Sequence, residues 1–234
     1  MAHTDERIAS GPAARTWIGM VVYVGITLVL MFWPAGTIDW RRGWLFVSLF
    51  VILMFIAIGW IARDNPELFA ARSKVQAGTK GWDIVVAGLT VVLFVCIMPV
   101  AALDDVRFSW APTPDWVTFI GYALLTVGFM GATWAQSVNR HFEATVRIQS
   151  DRDHRVIDRG PYAHIRHPGY AFAIPMAAGI ALSLGSLVAL LPVGGILVLL
   201  AIRTLGEDAM LRRDLPGYAD YAARVMHRWI PGVW

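Results

Sequence analysis

Charged residues are scarce in this chain. Asp, Glu, Lys and Arg make up 16% of its 234 residues, whereas hydrophobic residues make up 57%. A soluble domain of this length normally carries about a quarter charged residues. The shortage is also uneven, because long uncharged runs alternate with short segments that are crowded with charge. This pattern excludes an ordinary soluble domain and is typical of a chain that crosses a bilayer several times.

Cysteine is almost absent as well. Cys96 is the single cysteine and sits in an apolar run, which excludes a disulfide framework and a cysteine metal cluster. We expect it to be a small buried hydrophobe, and we predict no metal site. Residues 1–15 are polar and small and do not read as a cleaved signal peptide. The net charge of +3 does not indicate nucleic-acid binding, because the basic residues lie in loops beside the apolar runs.

The apolar runs predict an all-α, polytopic transmembrane protein. A helix needs about 20 mostly apolar residues to cross the hydrocarbon core. The block from Gly169 to Ile202 is too long for one crossing, and Gly185-Ser186 near its middle predicts a tight helical hairpin. About six spans result, at about 16–33, 43–62, 82–103, 116–135, 169–184 and 187–205.

Tryptophan and basic residues set the predicted orientation. Most of the 11 tryptophans fall near the span ends, as an interfacial aromatic belt requires. With six spans both termini share one side, and that side carries all but three of the 20 basic residues, the exceptions being Arg41, Arg42 and Arg107. Because positive residues stay cytoplasmic, we predict a multi-pass membrane protein with both termini in the cytoplasm.

Two cytoplasmic segments concentrate the polar residues. They cover about 137–168 and 205–234 and flank the helical hairpin on both sides, so they must meet in space. We therefore divide the chain into an N-terminal membrane region with four spans, 1–136, and a catalytic region, 137–234.

The first segment contains a turn that exposes a histidine. Gly160-Pro161 is a turn signal, and the His167-Pro168 pair holds His167 extended just before a helix with Pro168 in its first turn. The imidazole and the free N–H groups of that helix start could receive an anionic group. The alternative is a plain turn at the membrane surface with interfacial Arg and His side chains.

The second segment begins with charges at the inner end of the last span. Arg203 and Glu207 are at i and i+4 and share a helix face. The alternative to a functional pair is an arginine that snorkels beside a neighbouring carboxylate.

In this region the sequence resembles the isoprenylcysteine carboxyl methyltransferase family, which is related to the membrane phospholipid methyltransferases. The resemblance covers about residues 137–234, and its specificity comes from the order and spacing of the motif residues. The pattern differs at the acidic pair, which is Glu-Asp here where Glu-Glu is common. The residues that carry it are His154, Val156-Ile157, Gly160-Pro161-Tyr162, Arg166-His167-Pro168-Gly169-Tyr170, Arg203, Glu207-Asp208, Tyr218, Tyr221, Arg228 and Pro231.

The resemblance implies a cytoplasmic S-adenosylmethionine pocket between the motif segment and the tail. Arg203 and Glu207 would be catalytic and face the methyl acceptor. The glycine motif by which soluble methyltransferases bind the cofactor is absent. This absence fits a separate kind of cofactor site, built within a membrane protein. The residues expected to bind the cofactor are His154, Val156, Gly160, Pro161, Tyr162, Arg166, His167, Tyr170 and Glu207.

The expected function is therefore S-adenosylmethionine-dependent methyl transfer to a lipophilic acceptor that reaches the site from the bilayer. A carboxylate of the isoprenylcysteine type needs no general base, since it is ionised at neutral pH. The alternatives are N-methylation of a phospholipid amine, S-methylation of a small thiol, or, in another class, a nicotinamide-dependent membrane reductase of similar fold. A non-catalytic scaffold or transporter component is a further alternative, and the absence of mid-span charges opposes transport. The expected partners are the lipophilic substrate and membrane lipids, without nucleic acid.

Overall fold

A computed structural model describes residues 12–68, 80–143 and 145–234. Residues 1–11 lie outside these ranges, and with them most of the segment that we predict not to be a signal peptide. The basic residues Arg7, Arg72 and Lys74 lie outside them as well. The described chain is helical and contains no strand. Its α-helices are α1 (Pro12–Ala35), α2 (Arg41–Asp64), α3 (Gly81–Ala102), α4 (Asp115–Val138), α5 (Pro168–Ser183), α6 (Leu190–Asp214) and α7 (Tyr218–Arg224).

The predicted all-α transmembrane fold is confirmed. Within the described residues, five helices (α1 to α4 and α6) are long and apolar enough to cross a membrane, and the protein is an integral membrane protein. α5 has 16 residues, fewer than the roughly 20 of a typical span, and it forms the predicted hairpin with α6 through a turn at 184–189. Cys96 is half-buried in α3 rather than fully buried.

Two predicted helix ends are wrong. The third span does not stop at Asp104, because the helix continues as a π-helical segment, Leu103–Phe108. The Asp104 carboxylate is buried and accepts hydrogen bonds from the Ser186 hydroxyl (2.6 Å) and the Ala111 N–H (2.8 Å), so its charge does not need water. α6 runs on past Leu205 to Asp214, because its last turns leave the apolar layer and pack against the tail.

α4 and α5 pack closely because glycine faces backbone between them. A Cβ added at Gly121 would lie 2.2 Å from the Ser183 nitrogen, and one added at Gly128 would lie 2.3 Å from the Met176 nitrogen. Small residues that let helix backbones approach are a recurrent means of packing in membranes. This contact fixes α5, and with it the motif segment that precedes α5.

Polar contacts mark the two ends of the helix bundle. At one end the Arg42 guanidinium bonds to Asp105 (2.5 Å) and Asp115 (3.0 Å), and the Thr113 hydroxyl donates to the Gly185 carbonyl (2.6 Å). At the other end Asn65 donates to the carbonyls of Gln136 and Asn139. The segment 139–167, the end of α6 and the tail all lie at this second end, so the two polar segments meet as predicted.

Candidate active site

A cavity of about 290 Å³ lies where the polar segments meet. Its wall comes from the 139–170 segment, the last turns of α6 and the tail through α7. Eight of the residues predicted from the sequence line it: His154, Val156, Tyr162, Arg166, His167, Tyr170, Arg203 and Glu207. The sequence motifs thus converge on one concave site, as expected of a ligand pocket.

Gly160 and Pro161 do not line the cavity. They form the 3₁₀ turn Gly160–Ala163 that presents Tyr162 to it. Gly160 has φ +59°, and an added Cβ would lie 3.0 Å from Val138 on α4, so glycine suits this turn on both counts. Tyr162 is buried, and burial raises the pKa of its phenol above the ordinary value. The phenol oxygen accepts from the Asn139 side chain (3.1 Å).

Arg166 lines the cavity, but its guanidinium is committed to the protein itself. Its Nε donates to Asp208 (2.9 Å), and its Nη1 donates to the carbonyls of Val225 (2.7 Å) and Met226 (2.8 Å). The backbone N–H groups of Arg166 and His167 donate to the carbonyls of His227 and Arg228. This side chain therefore joins the motif segment to the tail and shapes the cavity wall.

The acidic pair of α6 divides into two roles. Asp208 is 2% exposed and accepts from Arg166 and from the Tyr218 hydroxyl (2.9 Å), while Arg212 and Arg228 complete the cluster at 3.3 Å each. Asp208 is thus a buried structural centre whose charge is balanced by arginines. Glu207 faces the cavity instead and accepts from the Tyr170 hydroxyl (2.7 Å).

His167 presents an unsatisfied nitrogen. It is 7% exposed, and its Nε2 has no hydrogen-bond partner among the side chains and backbone that the structure describes. The nearest carboxylate oxygens lie at 3.8 Å from Nδ1 (Glu207) and 3.7 Å from Nε2 (Asp208). The ring stacks on Tyr170 with centroids 5.8 Å apart. The His167 side chain lines the cavity and retains a ring nitrogen without a hydrogen-bond partner, so it is suited to contact a ligand.

Arg203 does not take Glu207 as its ion-pair partner. The two share a helix face as predicted, yet the Arg203 Nε and Nη2 donate to the two oxygens of Asp83 on α3, at 2.8 and 3.2 Å. Asp83 is fully buried and also accepts from the Val146 N–H (2.7 Å). The guanidinium lies 5.6 Å from the centre of the Tyr170 ring. Arg203 is therefore held in a fixed orientation at the cavity wall.

A histidine pair closes the far side of the cavity. The rings of His141 and His154 are 4.6 Å apart, and the Gln149 backbone N–H donates to Nδ1 of His154 (3.3 Å). Burial lowers the pKa of His154 to about 4, with the nearby His141 and Arg147 acting in the same direction. His154 is therefore neutral near pH 7 and can accept this hydrogen bond.

Several wall residues were missed from the sequence. The wall residues before the recognised pattern gave no signal because they lie in irregular backbone. Asp83 was missed as well: it holds Arg203 from behind the wall, stands in the first turn of α3 and carries no motif. The spacing of Tyr218 and Tyr221 at the start of a short helix could have placed both in the wall, since both lie in the recognised pattern. The unpredicted residues in the wall include Asn139, His141, Glu143, Arg147, Gln149, Leu211 and Leu215.

Comparison with known proteins gives consistent results. Residues 119–213 match the model of the isoprenylcysteine carboxyl methyltransferase (ICMT) family. The chain is 32% identical over 172 residues to the nickel-cobalt-cadmium resistance protein NccN of Alcaligenes xylosoxydans xylosoxydans, covering 70% of this chain and 68% of that protein. It is similar in fold to a structure of the eukaryotic intramembrane Ras methyltransferase ICMT, with a TM-score of 0.56, 18% identity, and coverage of 90% of this chain and 74% of the other.

Proposed function

Because the chain belongs to the isoprenylcysteine carboxyl methyltransferase family, we propose that this membrane methyltransferase uses S-adenosylmethionine to methylate a lipophilic acceptor. The observation that carries the proposal is the convergence of the motif residues on one cavity, whose wall includes His167 with its unsatisfied ring nitrogen. The 137–234 region would form the catalytic part and 1–136 the supporting membrane part. The cavity would face the cytoplasm, with both termini on that side.

The cavity wall fits the chemical groups of the cofactor. S-adenosylmethionine, when bound, supplies a methyl group on a positively charged sulfonium. The Glu207 carboxylate, fixed by Tyr170, offers a negative charge for the cationic part. His167 offers a ring nitrogen for a polar group, and the buried aromatic and aliphatic side chains of Tyr162, Val156 and Leu211 offer apolar surface.

Arg203 is the residue we assign to the acceptor. Its guanidinium is held in one orientation by Asp83 and so presents a fixed positive charge that can attract and position a carboxylate. A carboxylate acceptor needs no base, and removal of water from the site would favour the reaction of opposite charges. An amine acceptor would need a base, and Glu207 is the carboxylate in position for that role.

Access from the bilayer is supported by the outer surface of α6 beside Arg203. Ile202 and Leu205 are 48% and 51% exposed on the neighbouring positions of this helix. Apolar side chains on this surface suit contact with lipid tails, and they adjoin Arg203 in the sequence of α6. A lipid-linked substrate could therefore present its polar end to Arg203 while its chain remains in the membrane.

The name of the relative from Alcaligenes xylosoxydans xylosoxydans describes that organism's protein as a nickel-cobalt-cadmium resistance protein. Among residues 12–68, 80–143 and 145–234, no group of at least three His, Cys, Asp or Glu side chains could hold a metal ion.

Calorimetry on the detergent-purified protein tests the proposal. We expect S-adenosylmethionine to bind and a reduced nicotinamide cofactor not to bind. His167→Ala should weaken S-adenosylmethionine binding at least tenfold, about 1.4 kcal/mol, because it removes the buried ring from the wall. His164→Ala is the matched control, since His164 lies in the same segment but is exposed and outside the cavity wall.

Two results would contradict the proposal. Binding of the nicotinamide without S-adenosylmethionine binding would favour the reductase alternative. Equal S-adenosylmethionine affinity in His167→Ala and the wild type would remove this histidine from the cofactor site.

A further inference from the structure

A second cavity lies at the opposite end of the helices from the candidate active site. It encloses about 460 Å³ beside the first turns of α2 and α4 and the π-helical segment. α2 and α4 have 24 residues each, so each is about 36 Å long, and their other ends lie near the first cavity. The two cavities therefore cannot share a ligand.

Two residues that line this second cavity have a buried hydroxyl group without a hydrogen-bond partner. Thr118 is 6% exposed, and its hydroxyl has no hydrogen-bond partner in the part of the chain that the structure describes. Tyr122, one turn further on the same face of α4, has a buried hydroxyl that likewise lacks one. Five other helical threonines donate to the carbonyl four residues before them, namely Thr27, Thr90, Thr126, Thr133 and Thr204.

The contrast among the threonines indicates a ligand at Thr118. A buried hydroxyl that leaves its hydrogen bond unmade costs free energy, and a threonine in a helix normally avoids this cost by bonding to its own helix. Two such hydroxyls on one face can both donate to the oxygens of a group bound in the cavity.

The charges at the rim are divided between paired and unpaired groups. Arg42 is occupied by Asp105, by Asp115 and by the Thr113 carbonyl. Arg41 and Asp39 also line the cavity, and neither forms an ion pair with any residue the structure describes. Arg41 and Arg42 thus place positive charge in the same cavity wall as Thr118 and Tyr122.

Charge balance argues against a purely anionic ligand. Three aspartates line the cavity against two arginines, which leaves a net negative wall. A ligand that carries both a phosphate and an ammonium group would satisfy the donors and the unpaired carboxylate together.

The surroundings of the cavity are those of a membrane interface. Leu45 and Phe119 line it and are 47% and 70% exposed on the outer surface of the helices. Trp44 and Trp116 are also exposed at this end of the helices, as is usual for tryptophans at a membrane surface. A bound molecule could therefore keep its acyl chains in the bilayer against these apolar side chains.

We propose that this second cavity binds the head group of a zwitterionic phospholipid from the membrane leaflet at this end. The phosphate accepts hydrogen bonds from Thr118 and Tyr122 and lies beside Arg41. The ammonium group lies beside Asp39, and the acyl chains pack on Leu45 and Phe119. The cavity volume falls within the range of about 300–1,000 Å³ that is usual for ligand sites.

Delipidated full-length protein in detergent provides the test. Dioleoyl phosphatidylethanolamine and dioleoyl phosphatidylglycerol are added separately, and bound lipid is counted by native mass spectrometry while thermal unfolding is followed. The wild type should bind phosphatidylethanolamine more tightly than phosphatidylglycerol. Thr118→Val and Tyr122→Phe should each weaken phosphatidylethanolamine binding about fivefold or more, because each removes one hydrogen bond to the phosphate.

Matched measurements separate lipid binding from folding. Thr126→Val makes the same change two turns further along α4, where the hydroxyl bonds to the Tyr122 carbonyl, and it should retain lipid binding. Without lipid, Thr118→Val and Tyr122→Phe should unfold at the wild-type temperature or above it, because each removes an unsatisfied group. S-adenosylmethionine affinity, measured in parallel, should stay at the wild-type value, so this result is independent of the function proposed above.

Three outcomes would overturn the proposal. The first is equal phosphatidylethanolamine binding by the wild type and the Thr118→Val/Tyr122→Phe double variant. The second is equal binding of both lipids by the wild type. The third is binding of free phosphoethanolamine as tightly as the lipid, which would identify a soluble ligand instead.

Discussion

At the scale of single residues, Arg203 is fixed by a partner from another helix. Its Nε and Nη2 are held by both oxygens of the buried Asp83 carboxylate, and its guanidinium lies against Tyr170. A planar guanidinium makes this paired contact, whereas the ammonium of lysine is a single point charge. The contact with Asp83 therefore holds the charged guanidinium of Arg203 in one orientation.

Arg203→Lys should separate an oriented arginine from one that only anchors the helix. We expect single-turnover methyl transfer to fall at least tenfold, about 1.4 kcal/mol in activation free energy, because lysine keeps the charge but loses the orientation. Cofactor affinity should change little, since we assign Arg203 to the acceptor. Arg213→Lys is the control on the same helix, because Arg213 is exposed and pairs with Asp214.

The result can also reject this role. Near-normal turnover in Arg203→Lys would mean that the arginine only snorkels. Loss of cofactor binding would instead place Arg203 on the cofactor side of the cavity.

His154 makes the stability of the site depend on pH. Its pKa is about 4 in the folded protein, below the ordinary value of about 6.5, so the unfolded chain binds a proton first as pH falls. The stability that its neutral ring contributes is present above pH 6.5 and is lost between pH 6.5 and 4. We therefore expect the unfolding temperature to fall across this window.

Thermal unfolding followed by tryptophan fluorescence measures this effect. His154→Gln keeps a hydrogen-bond acceptor without a titrating ring, so its unfolding temperature should fall less steeply below pH 6.5. Exposed His164→Gln should follow the wild-type curve. Parallel curves for His154→Gln and the wild type would show that His154 does not carry the pH dependence.

At the scale of helices, the α4–α5 contact positions the motif segment. Its glycines have backbone of the partner helix within van der Waals distance, so there is no space for a methyl group at Gly128 or Gly121. The tightness of this contact explains how a helix of 16 residues keeps its place among longer ones.

Gly128→Ala should weaken this contact. The added methyl would lie 2.3 Å from the Met176 nitrogen, and such overpacking costs about 1–3 kcal/mol. Gly194→Ala is the control in α6, where no atom lies within 4 Å of the added Cβ, and it should be neutral or slightly stabilising. Thermal unfolding in detergent compares the two. Equal unfolding temperatures would show that α4 and α5 separate without cost.

At the scale of the whole molecule, the two ends of the helix bundle differ in their charged residues. Basic residues gather at the end with the candidate active site, and Arg41, Arg42 and Arg107 lie at the other end beside aspartates. The bundle therefore separates the candidate active site from a polar cluster that joins α2, α4 and the hairpin turn.

A topology experiment tests the orientation. A reporter fused after Trp234 should read cytoplasmic, because positive residues are retained on that side. A reporter inserted after Ser109, in the turn beyond Asp105, should read external. The opposite reading at either position would contradict the orientation.

The sequence by itself determined the helical membrane fold, the C-terminal hairpin and the meeting of the two polar segments. These follow from the length of apolar runs and from chain order, which are local properties. The order of the motif residues also identified eight residues of the cavity wall, among them His154, Tyr162 and Glu207.

Tertiary structure alone decided the partners within the site. Asp83 and Arg203 are 120 positions apart, and their contact depends on how α3 and α6 are rotated against each other. The same packing directed Asp208 into the protein and Glu207 into the cavity, although the two are neighbours in the chain. It also allowed the buried Asp104 to remain inside a continuing helix by placing Ser186 beside it. Such choices depend on distances between helices, which no local pattern of residues contains, because a helix face becomes internal only once its neighbours are in place.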